Sequence, residues 1–211
     1  MKNLLLTGIV CLPLAGLAAL PSAETVAPTV TPAAPAPVQD AAAPSAGSYS
    51  VDAVHSSMLF RILHNRVANF YGRFNEISGS FTWDGEDLSK AKVIIEIPTA
   101  SVDTNDTKRD DHLKGPDFFN VRRYPKLTFK STKVEGTPGA LKVTGMLSLH
   151  GVEKEITADA MFTGYAETQF GTRAGFEATF RIDRTEFGIE AYPDNLGAAV
   201  DVTIALEAVK D

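Results

Sequence analysis

The sequence predicts an all-β domain: an antiparallel sheet of about eight strands, closed as a barrel or folded as a sandwich, with one short helical insert. Three observations lead to this fold class. Apolar and polar residues alternate along most of the second half of the chain, which is typical of strands with one buried face. The connections between these segments are short and contain Gly or Pro, so they suit antiparallel neighbours. Residues 105–131 interrupt the alternation with a charged segment of helical character.

The first part of the chain is predicted to be an export signal followed by a linker, and not a folded domain. Residues 1–23 have the features of a secretory signal peptide, with Lys2, an apolar stretch and small residues up to Ala23. Residues 24–47 are dominated by Ala and Pro, which predicts a disordered linker. Residues 48–211 then form one domain, long enough to bury a single core.

Composition excludes several classes of function. The single cysteine, Cys11, lies within the predicted signal peptide, so the mature chain would have no disulfide, no thiol nucleophile and no thiolate metal site. The net charge of -6 argues against a nucleic-acid partner, because such partners are usually bound by a basic face.

Eight or nine segments are predicted as half-buried strands. The earlier ones lie at 49–51, 57–63, 78–83, 93–97 and 127–129. The four clearest have these residues on their apolar faces: Val143, Gly145, Leu147 and Leu149; Ile156, Ala158, Ala160 and Phe162; Phe176, Ala178, Phe180 and Ile182; and Val200, Val202, Ile204 and Leu206. Closing the sheet as a barrel would also remove its exposed edges. Such a barrel either fills with side chains or holds one small ligand, so the pattern leaves both open.

The insert at 105–131 predicts a helix followed by a second short turn. Asn105 or Asp106 can cap the helix, and Gly115–Pro116 ends it. Phe118 and Phe119 then offer two aromatic side chains. Because so short a helix is unstable alone, we expect the insert to lie across one end of the barrel as a lid.

Six blocks stand in order along residues 49–209: DAVHS at 52–56, RDDHL at 109–113, DFFN at 117–120, YPKLTFKS at 124–131, LSLHGV at 147–152 and DRTEFGI at 183–189. In this order they resemble the YceI-like family, the lipid- or polyisoprenoid-binding domains of bacterial periplasms. The resemblance implies a lipocalin-like extended antiparallel β-barrel with an elongated apolar pocket and no catalytic machinery. It implies a periplasmic protein whose ligand is a polyisoprenoid or an isoprenoid quinone, with no other cofactor.

Five inward-facing residues are predicted to contact an apolar tail: Phe129, Leu147, Phe162, Phe180 and Val202. Each methylene buried there contributes about 0.8 kcal/mol by transfer from water. Periodicity alone equally allows these side chains to fill a solid core, because it reports burial and not empty space.

The insert supplies the predicted polar end of the site, with Arg109, Asp110 and His112 beside Phe118 and Phe119. Arg109 and His112 could donate hydrogen bonds to a quinone carbonyl or a phosphate, with Asp110 orienting one of them. The alternative is structural, since ion pairs and hydrogen bonds of this kind can pin a short helix to the barrel.

No metal or catalytic site is predicted. The four histidines, His55, His64, His112 and His150, lie on separate elements without ligand spacing, and His55 and His150 suit structural hydrogen bonds. No activated nucleophile is found. The run 183–185 predicts a turn with a satisfied ion pair between Asp and Arg.

Two alternatives to a carrier stay open: an enzyme using His112 as general acid or base, and a filled barrel that binds a partner. Transient membrane contact for ligand exchange and pairing of two copies are also left open.

Overall fold

The structure is a computed structural model, and it describes residues 44–211. The predicted signal peptide at 1–23 and most of the predicted linker lie outside the described residues. Residues 44–211 form eleven strands and one α-helix, with these bounds: β1 Gly47–Val51, β2 Ser57–His64, β3 Ala68–Phe74, β4 Ser78–Trp83, β5 Lys92–Pro98, β6 Val102–Asp103, α1 Thr107–Lys114, β7 Lys126–Thr137, β8 Ala140–Leu149, β9 Val152–Thr168, β10 Gly171–Asp183 and β11 Leu196–Lys210. Within 44–211, α1 is far too short and polar to cross a bilayer.

The strands close into a ring, which confirms the predicted antiparallel barrel of eight strands. Eight of them are hydrogen-bonded in the order β1-β4-β5-β7-β8-β9-β10-β11, and β11 pairs back with β1 to complete the circle. Strands β2, β3 and β6 extend the other end of the ring, with β2 paired to β11. In effect β1 and β2 form one bent strand that follows β11 along its length.

The bend between β1 and β2 is held by polar groups of the DAVHS block. Two residues of β11 lack a partner on the β1–β2 side, because β1 pairs with β11 down to Ala208 and β2 begins its pairing at Ala205. The Ser56 hydroxyl accepts from the Glu207 N–H at 3.0 Å and donates to the Glu207 carbonyl at 3.2 Å. The backbone N–H of Asp52 also donates to that carbonyl, at 2.8 Å. The block therefore replaces the ladder bonds that the bend interrupts.

The predicted faces of the long strands are confirmed. On β8, Leu141, Val143, Gly145, Leu147 and Leu149 are buried, while the residues that alternate with them are exposed or half-buried. Buried residues from β2, β5, β7, β8 and β11 belong to one continuous apolar cluster that also includes Phe118 of the insert. The insert therefore packs on the barrel as expected.

Strand β3 was not predicted, nor was the two-residue β6. The β2–β3 hairpin turns through Asn65 and Arg66, both with positive φ, which is the geometry of a type I′ turn but without its usual glycine. Within β3, Gly72 lies opposite Phe60, and a Cβ there would lie 2.2 Å from the tip of the Phe60 ring. Gly72 thus leaves room for the ring and weakens the alternating pattern of its strand.

The helix prediction is confirmed at both ends. Asp106 caps α1 by accepting from the Arg109 N–H at 2.9 Å, and Gly115 follows its last residue. No residue of α1 is fully buried, so the helix depends on side-chain contacts with the barrel for its position.

Candidate functional site

Two cavities lie inside the barrel. The outer cavity has a volume of about 660 Å³ and lies between the β2–β3 hairpin, the helical insert and the β10–β11 loop. The inner cavity is about 100 Å³ and lies deeper, towards Trp83 and Phe176. The filled-barrel alternative therefore fits the inner end of the barrel but not the outer end.

The inner cavity is enclosed almost wholly by apolar side chains, including the predicted Phe129, Leu147 and Phe180. Its volume corresponds to only a few water molecules at roughly 30 Å³ each. Phe162 does not line it but packs behind it, with its ring centroid 5.3 Å from that of Phe176. The inner end is thus mostly a packed core.

The outer cavity has an apolar body and a polar mouth. The predicted Val202, Phe118 and Phe119 line it, and the Phe119 ring packs edge-on against Phe74 at 5.3 Å. Its volume falls within the range of roughly 300–1,000 Å³ that small-molecule pockets occupy. The exposed lining residues define the mouth: His64, Asn65, Arg109, His112, Tyr192 and Asn195.

Arg109 and Asp110 are joined through Thr104, which is buried next to β6. The Arg109 Nε donates to the Thr104 hydroxyl at 2.8 Å, and an Nη donates to the Thr104 carbonyl at 2.7 Å. Asp110 accepts from the Thr104 hydroxyl at 2.5 Å and from its N–H at 2.8 Å. The Arg109 guanidinium also lies 4.4 Å from the centre of the Phe70 ring. These contacts pin α1 to the barrel, and Asp110 does not line the cavity.

His112 stands at the mouth among aromatic rings. Its ring meets Phe118 edge-on at 5.1 Å and Tyr192 at 5.7 Å, and its Nε2 lies 3.3 Å from Asp117 Oδ2. The His112 side chain is 46% exposed. It is therefore placed to meet both solvent and a molecule that enters the outer cavity.

Arg184 also lines the outer cavity, and its environment differs from the predicted one. The turn at Arg184–Phe187 is confirmed, but the ion pair with Asp183 is wrong. Asp183 instead accepts from the Thr185 N–H and hydroxyl at 2.9 and 2.6 Å. The guanidinium donates to the carbonyls of Ile189, Leu196 and Gly197. The Asp183 carboxylate caps the 3-10 turn, and the Arg184 guanidinium is directed at other backbone carbonyls, so these neighbours in sequence are not partners in space.

Burial affects the ionisation of Arg184. The residue is only 4% exposed, and this desolvation holds the pKa of the guanidinium below its ordinary value, against the opposing charge of Asp183. An arginine nonetheless stays protonated in proteins. The outer cavity therefore contains a buried positive charge.

A second polar cluster lies at the β1–β2 bend, outside the cavities. Oxygen or nitrogen atoms of Asp52, His55 and Glu207 approach within 4.8 Å, as metal ligands could. Arg173 Nη1 lies 2.6 Å from a carboxylate oxygen of both Asp52 and Glu207, so a cationic side chain already occupies the position between the two carboxylates. Hydrogen bonds from Arg173 and then His55 hold the pKa of Asp52 well below its usual range. The cluster is an ion-pair network that ties the bend to β10 and β11.

His55 and His150 make the structural hydrogen bonds that the sequence predicted. His55 Nδ1 lies 3.0 Å from Asp52 Oδ2. His150 Nδ1 lies 3.1 Å from the Phe187 carbonyl, which can only accept, so that nitrogen carries the proton.

Sequence reasoning missed several lining residues: Met58, His64, Asn65, Arg184, Tyr192 and Asn195. Asn65 and Asn195 meet through a side-chain hydrogen bond of 2.9 Å between two loops far apart in sequence. No local pattern signals such a contact. Met58 could have been found, because it occupies an inward position of a predicted strand.

A closed antiparallel barrel with an apolar-walled cavity and a helical insert at its mouth defines a lipocalin-like barrel. The chain belongs to the YceI-like family, since the YceI-like domain model matches residues 49–208. The resemblance noted from the six blocks is thereby confirmed.

Known relatives agree in sequence and fold. Protein YceI of Escherichia coli O6:H1 (strain CFT073) is 39% identical over 168 residues, which is 78% of this chain and 88% of that protein. The crystal structure of Burkholderia cenocepacia BcnA superposes with a TM-score of 0.68 at 22% identity, covering 75% of this chain and 99% of that one. A polyisoprenoid binding domain from Saccharophagus degradans gives a TM-score of 0.62 at 19% identity, covering 77% and 98%. The two structures support the fold.

Proposed function

We propose that this protein is an exported carrier that buries the tail of a polyisoprenoid or isoprenoid quinone in its barrel and does not convert it chemically. The observation that carries the proposal is the outer cavity of about 660 Å³, which has apolar walls and a polar mouth. A lipid of this class has the same division, with a long apolar tail and a small polar head. The tail would lie against residues such as Phe60, Val202 and Phe119, and the head would lie near the mouth.

The energetics favour a tail in this position. Transfer of each methylene from water contributes about 0.8 kcal/mol, and a few polar groups at a pocket mouth are enough to orient a ligand. The Saccharophagus degradans domain, which shares the fold, is a polyisoprenoid binding domain. That description supports a lipid of similar chemistry for this chain.

Export rests on the signal peptide predicted at residues 1–23, and it would place the carrier in the periplasm. Cell fractionation together with sequencing of the mature amino terminus tests this part. A protein recovered from the cytoplasm with an intact amino terminus would contradict it.

We expect His112 to contact the bound lipid without converting it chemically. Its ring packs on Phe118 and Tyr192 and contacts Asp117, so it can serve as part of the wall without acting on the ligand. Lipid recovered from the wild-type protein and from His112→Ala should have identical mass. A product present only with the wild type would favour an enzyme.

The central experiment is native purification followed by solvent extraction and mass spectrometry. We expect a co-purifying polyprenyl lipid, or uptake of added polyprenol by the delipidated protein. Val202→Trp should fill the outer cavity and reduce uptake, whereas Thr203→Trp on the outer face of the same strand should leave it unchanged. Circular dichroism would verify that both variants fold. Repeated absence of bound lipid, together with no uptake by the wild type, would refute the proposal.

A further inference from the structure

The charges that line the outer cavity are of one sign. Its titratable lining residues are Arg109, Arg184, His64 and His112, together with Tyr192, and no Asp or Glu of the described residues lines it. The chain as a whole is acidic, with 26 Asp and Glu against 20 Lys and Arg. The lining thus differs in sign from the net charge of the chain. The Asp117 carboxylate lies 3.3 Å from His112 at the mouth but is not part of the lining.

Arg184 is the most distinctive of these groups. Three of its N–H groups donate to backbone carbonyls, at 2.9 Å from Nε, 2.7 Å from Nη1 and 3.1 Å from Nη2. This leaves one N–H on Nη1 and one on Nη2 without an acceptor among the described residues. No carboxylate of residues 44–211 forms a salt bridge with Arg184, although it is only 4% exposed.

A buried charge that is hydrogen-bonded but not neutralised is costly unless a counter-charge comes from elsewhere. Carbonyl partners satisfy part of the hydrogen-bonding capacity of Arg184 but supply no negative charge. A carboxylate or phosphate would supply it and could accept both free N–H groups, since guanidinium geometry suits these acids. A neutral alcohol could accept a hydrogen bond but would leave the charge uncompensated.

We infer that the outer cavity selects lipids with an acidic head, a carboxylate or a phosphate, and that Arg184 is the residue that anchors this head. The inference rests on the proposed lipid-binding function and narrows its ligand class. The carbonyl bonds of Arg184 join Ile189 of the β10–β11 loop to Leu196 and Gly197 at the start of β11. The same side chain would therefore fix this part of the cavity wall and receive the head. Arg109 and His112 at the mouth would add weaker, solvent-screened attraction.

The test compares ligands that share one tail. The delipidated full-length protein is titrated with farnesol, farnesoic acid and farnesyl phosphate, and separately with inorganic phosphate. We expect the acid and the phosphate ester to bind at least about tenfold tighter than the alcohol, as charge-assisted hydrogen bonds predict, and inorganic phosphate to bind far more weakly than the ester. Equal affinity for alcohol and acid would overturn this inference and leave lipid binding intact. Failure of all three tailed ligands would instead count against the proposed function.

Inorganic phosphate that binds as tightly as farnesyl phosphate would also overturn the inference, because the site would then serve a free anion. The wild-type comparison does not depend on any variant, so it remains decisive if substitutions at Arg184 prevent folding.

Variants of Arg184 test whether this residue anchors the acidic head of the lipid. Arg184→Gln should lose most of the preference for the acidic ligands over the alcohol while still binding farnesol. Arg184→Lys should keep a larger part of that preference, because it retains the positive charge. Arg181→Gln is the matched control, since Arg181 lies outside the cavity with a 64% exposed side chain paired to Asp201. An unchanged preference in Arg184→Gln, or equal losses in the Gln and Lys variants, would refute the role of the Arg184 charge.

Discussion

Met58 of β2 and Leu127 of β7 are the two residues that line both the outer and the inner cavity. Both residues are buried, and their strands are not hydrogen-bonded neighbours in the sheet. The two side chains therefore reach the barrel interior from separate strands, and they mark the boundary between the outer cavity and the inner cavity. Methionine is unbranched and adaptable, so Met58 is the more movable side of this boundary.

Met58→Ala should let a longer tail enter the inner end of the barrel. Removing the thioether joins about 100 Å³ of inner cavity to the outer one, at a cost of about 2–5 kcal/mol in the free energy of unfolding. Titration with prenols of increasing length should show a shift in preference towards longer tails. Met146→Ala, on the outward face of β8, is the control. An unchanged length preference would mean that Met58 does not limit tail length.

Gly72→Ala should destabilise the barrel by about 1–3 kcal/mol, as overpacking does. The new methyl would lie 2.2 Å from the Phe60 ring, which would have to swing into the outer cavity. Thermal unfolding should therefore occur at lower temperature, and lipid uptake should fall. Adding Phe60→Leu should restore part of both. Gly164→Ala, where a Cβ meets nothing within 4 Å, is the control, and a similar loss there would contradict this explanation.

The strands were predictable wherever side chains alternate without interruption, because a half-buried strand exposes every second residue. The β2–β3 hairpin escaped prediction for two local reasons. Its turn uses Asn65 and Arg66 in positive-φ conformations without a glycine, and Gly72 removes an apolar signal from the inward face of β3. In the fold, Asn65 contacts Asn195 and Gly72 lies against Phe60, and no short window of sequence contains either contact.

The site was predictable in outline and not in detail. Inward positions such as Phe129 and Phe180 were assigned correctly to the interior, yet periodicity could not tell that they border the small cavity and that Phe162 borders neither. Arg184 follows Asp183 directly, so an ion pair was the natural expectation. The fold of the β10–β11 loop decides instead that backbone carbonyls receive its N–H groups.

Thr104→Val should loosen α1 without disrupting the barrel. Valine keeps the shape of threonine but removes the hydroxyl that donates to Asp110 and accepts from Arg109, which leaves both charged groups short of a partner at a cost of about 1–3 kcal/mol. Amide hydrogen exchange in Thr107–Lys114 should become faster, and bound lipid should be released sooner. Thr157→Val, which removes an exposed hydroxyl contact with Thr144, is the control. Unchanged exchange in α1 would show that Thr104 does not hold the helix.

The ion pair between Asp52 and Arg173 should make the free energy of unfolding depend on pH in the acidic range. The Arg173 guanidinium holds the pKa of Asp52 below its usual range, so folding favours the ionised carboxylate. The stabilisation is therefore complete above the unfolded-state pKa of about 3.9 and is lost as the pH falls through the lower pKa of the folded state. Asp52→Asn should lower the urea midpoint at neutral pH.

The difference in urea midpoint between wild type and Asp52→Asn should shrink as the pH is lowered from about 4 towards the folded-state pKa of Asp52. Asp159→Asn is the control, because the Asp159 carboxylate is 67% exposed and pairs with Lys142 at the surface. Such surface pairs contribute little to stability, so this variant should change the midpoint only slightly at neutral pH. A difference for Asp52→Asn that stays constant across the acidic range would show that its effect comes from lost packing or backbone contacts and not from the carboxylate charge held by Arg173.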